Sequence, residues 1–183
     1  YLEEKSDMRM NSIKRIAWQR NKLMECLNEA NDEDYIFYSD NDEIPNFENF
    51  NFEFNKKKII IFKQKLFYYK FNLFCDRVDW FGTKGCKKKD LLSFDWLREI
   101  KGKVYPIYRF DTFFSKTKYT DVKIIEDGGW HFSQLKSPKD IEVKLLNQEH
   151  HDEYRLAKEN LPKIEDLIKR KSIIYDHKAK SED

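Results

Sequence analysis

Tyr35-Ile36-Phe37-Tyr38-Ser39-Asp40-Asn41-Asp42-Glu43-Ile44-Pro45 is the stretch whose reading decides the fold. Four strand-forming residues stand in a row without polar alternation, the pattern of a strand covered on both faces in the middle of a parallel sheet. Charges and a proline then stop it. Upstream, Met10 to Ala30 reads as an amphipathic helix, with Ile13, Ala17, Met24 and Leu27 at helical spacing and an acidic run, Asp32 to Asp34, after it. A helix leading into a strand that ends in a polar loop is half of an α/β unit. In open α/β sheets, ligands sit just beyond the carboxyl ends of the strands. The acidic loop is therefore where a site is expected.

Further elements follow along the chain. Lys58 to Phe74 is dense in Ile, Phe and Tyr and predicts one or two strands. Trp80-Phe81-Gly82-Thr83 reads as a turn, and Asp90 to Ile100 as a helix with Leu91, Phe94, Leu97 and Ile100 on one face, closed by Gly102. Glu126-Asp127-Gly128-Gly129-Trp130-His131-Phe132-Ser133 reads as a second polar turn. Ser137-Pro138-Lys139-Asp140 combines a cap residue, a first-turn proline and an early acid, predicting a helix to about Asn147. Another helix is expected to begin near Asn160, with Pro162 in its first turn. Residues 1–175 read as one domain and 176–183 as a frayed polar tail.

Composition narrows the function. The 183 residues carry 35 basic and 33 acidic side chains, a net charge of +2, which lacks the basic excess of a dedicated nucleic-acid binder. No apolar stretch reaches the roughly 20 residues that span a bilayer; the longest, Lys58 to Phe74, is broken by Lys63, Gln64, Lys65 and Lys70. Cys26, Cys75 and Cys86 have no C-x-x-C spacing and make neither a disulfide framework nor a zinc site. The chain begins with Tyr and no signal segment follows, so the expectation is a piece of a longer reading frame, cytoplasmic, with a place at the inner membrane face as a further option.

Asp40 and Asp42 are two apart in what reads as extended chain, so both carboxylates are expected on one side. Two hard oxygen ligands suit Mg²⁺ or Mn²⁺, with water and phosphate oxygens completing the shell. An EF-hand fails, because Ile44 takes a ligand position and Pro45 replaces the required glycine. A plain solvated acidic turn is the alternative. His131, after two glycines, has the imidazole to complete a metal site, or is a histidine hydrogen-bonded at a tight turn. Glu126 and Asp127 are candidates for a general base, or a solvated charge pair. His150, His151, Asp152 and Glu153 read as a surface helix more readily than as a second metal site.

The Asp-x-Asp-Glu-Ile-Pro loop, the aromatic Phe67 to Leu73 segment, Trp80-Phe81-Gly82-Thr83 and Gly128-Gly129-Trp130-His131-Phe132-Ser133 occur in that order. Together they resemble glycosyltransferase family 17, the β-1,4-mannosyl-glycoprotein N-acetylglucosaminyltransferases, from about Trp18-Gln19-Arg20-Asn21 to His151-Asp152-Glu153-Tyr154. The resemblance implies an α/β fold of GT-A type, here lacking its N-terminal strands, and an inverting, Mn²⁺- or Mg²⁺-dependent transfer from UDP-GlcNAc to a glycan. By position it assigns Asp40, Asp42 and His131 to the metal. Arg20, Trp80, Gly82, Thr83, Gly129 and Trp130 go to the substrates. Inversion in one displacement needs a carboxylate to take the acceptor's proton, and the candidates are Asp127, Glu126 and Glu153. A non-catalytic glycan-binding module and a metal-dependent phosphohydrolase are the alternatives.

Overall fold

The computed structural model describes residues 8–48, 50–147, 154–155 and 161–173. They form a mixed α/β structure. Six strands make one sheet: β1 (Tyr35–Tyr38), β2 (Glu43–Pro45), β3 (Ile59–Tyr68), β4 (Phe74–Lys87), β5 (Val122–Ile125) and β6 (Gly129–Ser133). Their order is β1-β4-β3-β6-β2, with β5 also paired to β3. β5 runs parallel to β3, whereas β1 is antiparallel to β4 and β2 to β6. The helices are α1 (Met8–Lys22), α2 (Phe94–Glu99), α3 (Pro138–Asn147) and α4 (Ile164–Arg170).

The chain divides into two compact units, the described parts of Tyr1–Ile16, Phe67–Phe74 and Phe132–Asp183, and Ala17–Leu66 with Cys75–His131. In the first, α3 packs on α4, and Ile141, Leu145, Ile164 and Leu167 of these two helices are buried. Ser137 begins α3 as expected: its hydroxyl accepts from the Asp140 amide at 3.2 Å and donates to the Asp140 carboxylate at 2.6 Å. The helix expected near Asn160 starts at Ile164, two residues beyond Pro162.

The second unit has its core around β3. Ile59 and Ile61 face a cluster with Cys86, Leu91, Phe94, Leu97, Ile100 and Val122, while Ile60 and Phe62 face Phe50 and Ile125. An unbroken Ile-Ile-Ile-Phe run therefore buries both faces of a central strand. β1 is different. It ends the sheet order instead of lying in a parallel interior, and it pairs antiparallel, Tyr35 with Lys87 through Tyr38 with Lys84. Its apolar run is used because aromatic side chains pack against both faces: Phe37 meets Phe47 and Phe50 from the loop after β2 and Phe62 from β3, and Tyr38 meets Phe94 of α2.

Two expected turns are strand. Trp80 to Thr83 runs straight through β4, where Gly82 permits close approach: a Cβ there would collide with the Gln64 side chain and sit 2.9 Å from the Glu43 carboxyl carbon. The second turn is confined to Glu126, Asp127 and Gly128, and His131 lies buried within β6. The expected helix from Asp90 is also shorter, because Ser93 caps α2 by accepting from the Trp96 amide at 3.1 Å. Residues 176–183 and the 148–153 segment, which holds His150, His151, Asp152 and Glu153, lie outside the described residues.

Candidate functional site

Asp40 to Glu43 is a turn, closed by the Glu43 amide donating to the Asp40 carbonyl at 3.0 Å, and not extended chain. Its two aspartates consequently serve different partners. Asp40 is held on both oxygens: Tyr38 Oη donates to Oδ1 at 2.9 Å, while Arg98 Nε and Nη2 approach Oδ2 at 3.0 and 2.8 Å. Asp42 is left one-third exposed, with Oδ1 3.5 Å from His131 Nδ1.

The β2–β6 ladder is what joins the two sequence motifs, since it sets Glu43 opposite His131, Ile44 opposite Trp130 and Pro45 opposite Gly129. Gly129 makes that register possible. Its φ is +118°, a conformation open to glycine, and a Cβ there would run into the Ile44 carbonyl. The His131 ring lies on the Trp80 indole, centroids 4.2 Å apart and planes within 8°. Trp80 Nε1 in turn donates to Glu43 Oε1 at 2.9 Å, and Arg98 reaches the same oxygen at 3.4 Å. The Asp40 amide donates to Glu43 Oε2 at 3.2 Å.

Glu43 is thus the hub of the site, although no sequence motif assigns it a role. Its side chain is 1% exposed, and burial raises its pKa above the usual glutamate range against the pull of Arg98 and the Trp80 hydrogen bond. The signal was its place as the one acid of the loop followed directly by strand. Arg98 was also missed, because a lone arginine near the end of a short helix has no motif. Lys84 lies next to this group: it donates to the carbonyls of Arg98 and, at 2.6 Å, Ile100, and burial lowers its pKa to about 8. Thr83 is fully buried, bonded to Ser39 Oγ and, at 3.2 Å, to Gln64 Nε2.

Of the remaining assigned residues, Arg20 borders the site through Tyr38 and Asp40, while Trp130, Glu126 and Asp127 stand apart. Arg20 pairs with Asp95 at 3.1 Å, beside Tyr38. Trp130 is 40% exposed on the face of β6 opposite His131. Glu126 and Asp127 lie at the Pro45 end of β2, away from Asp42, and face Lys63 at 3.5 Å and Lys65 at 2.6 Å. Cys26, Cys75 and Cys86 are free thiols.

Among the described residues, no three His, Cys, Asp or Glu side chains gather as a metal cage. Asp42 and His131 nonetheless offer a divalent ion two donors of suitable chemistry, one hard oxygen and one imidazole nitrogen. Asp40 has both oxygens engaged already. No family model, curated protein or solved structure matches this chain, and no helix among the described residues is long and apolar enough to cross a membrane.

Proposed function

We propose that the chain is the catalytic part of a GT-A-type inverting glycosyltransferase that moves N-acetylglucosamine from UDP-GlcNAc to a glycan hydroxyl. The observation that carries this reading is the β2–β6 register, through which the Asp-x-Asp loop and the Gly-Trp-His strand meet side by side. Two weak motifs that converge at one point support a shared chemistry better than either does alone.

Asp42 and His131 would hold Mn²⁺ or Mg²⁺, which, when bound, neutralises the charge that builds on the departing UDP. The chain's own residues prepare that position. Arg98 neutralises Asp40 and fixes the turn, so that Asp42 is presented without a second free carboxylate beside it. Trp80 holds the His131 ring flat and, through Glu43, ties the ring to the same turn. The buried Glu43 lies too deep to meet an acceptor hydroxyl and acts as a positioning residue.

The test is transfer of labelled GlcNAc from UDP-GlcNAc to mannose-terminated glycans with and without Mn²⁺. Asp42→Asn and His131→Ala should each lower metal-dependent transfer by at least about tenfold. Release of UMP and GlcNAc phosphate with no acceptor would replace the reading with a phosphohydrolase. Glycan binding that survives Asp42→Asn, with no transfer in the parent chain, would replace it with a binding module.

A further inference from the structure

Residues 101–119 form a loop whose composition differs from the rest of the surface. It presents Ile107, Tyr108, Phe110, Phe113 and Phe114, each between 71% and 91% exposed. Monomeric proteins seldom leave so many large apolar side chains together in water, and such patches mark interaction surfaces. The same loop holds five basic residues, Lys101, Lys103, Arg109, Lys116 and Lys118, against one acid, Asp111, in a chain whose overall charge is only +2.

The loop is pre-shaped. Lys101 N donates to Thr117 O at 2.9 Å and Tyr105 N to Tyr119 O at 3.3 Å, which pins its two ends together. Trp96 Nε1 donates to Lys116 O at 2.9 Å and to Tyr119 Oη at 3.1 Å. Arg109 and Lys118 both clamp Asp111, at 2.7 and 2.9 Å, and both lie against the Tyr105 ring together with Lys103. A 3-10 turn, Phe110–Thr112, buries Thr112 and leaves the flanking phenylalanines exposed. Arg109 and Lys118 hold the loop through Asp111, its remaining lysines leave it basic, and the apolar side chains are left outward.

We propose that this loop docks the protein on an anionic lipid bilayer, with the phenylalanine tip in the interfacial region and the lysines at the headgroups. Charge complementarity selects the occupant. A surface that is both apolar at its tip and basic around it matches acyl chains beneath anionic headgroups. A sugar platform would pair its rings with several polar side chains that bond hydroxyls, whereas of these five exposed side chains only Tyr108 carries a polar group. The proposal does not depend on the transferase reading.

The test is co-sedimentation with vesicles of phosphatidylcholine alone and with about 30% phosphatidylserine. The parent chain should bind the anionic vesicles roughly tenfold more tightly than the neutral ones, less so as salt rises. F113S/F114S should abolish binding with an unchanged melting temperature, and K101E/K103E should weaken it. F114W should shift its emission to the blue on anionic vesicles only. Absence of sedimentation would overturn the proposal. So would binding indifferent to F113S/F114S, or full competition by soluble glycerophosphoserine, which would mean a headgroup pocket. A soluble dimer dissociated by F113S/F114S, without lipid binding, would show a second copy of the chain as the occupant instead.

Discussion

Arg98 answers two carboxylates at once, Asp40 and the buried Glu43. Removing it takes the main counter-charge from a buried glutamate, so Arg98→Ala should cost about 3 kcal/mol by urea denaturation at neutral pH. Arg98→Lys should recover only part, because an ammonium lacks the fork that reaches both partners. The sign with pH follows from Glu43. Its pKa is raised by burial, so the folded chain takes up its proton before the unfolded chain does. Stability from this group is present at low pH and lost as pH rises through the folded value. The defect of Arg98→Ala should therefore shrink as the pH falls toward Glu43 protonation; a constant defect would mean that Glu43 is not the group left exposed. Lys84 works from the other side. Its pKa is lowered from 10.5 to about 8, so between those values the unfolded chain holds the extra proton and stability rises with pH. Parent minus Lys84→Met stability should move in the parent's favour between about pH 8 and 10, read from paired denaturation curves.

At the scale of elements, α2 has only six residues yet positions Arg98. The Ser93 cap, the buried Phe94 and Leu97, and the Asn21 side chain accepting from the Asp95 amide at 3.0 Å hold it in place. Ser93→Ala should cost about 1 kcal/mol and loosen Arg98 on Asp40, measurable as lost protection of the Glu43 amide in hydrogen exchange. Gly129→Ala should be worse, since a strained φ and a collision with the Ile44 carbonyl act together. About 2–3 kcal/mol is expected, with the β2–β6 ladder opening first. A Gly129→Ala chain with native exchange at Glu43 and His131 would contradict the role given to this register. These elements also divide what the sequence could and could not tell. The start of α3 was legible because cap, proline and early acid are local signals. β3 was legible because its apolar run is long. β1 was misjudged, since four apolar residues report covered faces and say nothing of which strand lies alongside. Gly82 and Gly129 read as turns, although both mark close approach of another strand, which is a non-local fact. Glu43 and Arg98 acquire their meaning only when β2 and α2 meet.

For the whole molecule, the mixed sheet flanked by helices agrees with the expectation of an α/β fold. The Asp42–His131 pair is the point at which the transferase proposal is most exposed. The measurement that tests it most directly is calorimetric titration of UDP-GlcNAc into the chain with and without Mn²⁺, with UDP as control and Asp42→Asn alongside. The expected result is saturable binding that requires Mn²⁺ and falls at least about tenfold in Asp42→Asn, with an unchanged melting temperature for the variant. Binding of equal strength without the metal, or undiminished in Asp42→Asn, would contradict it.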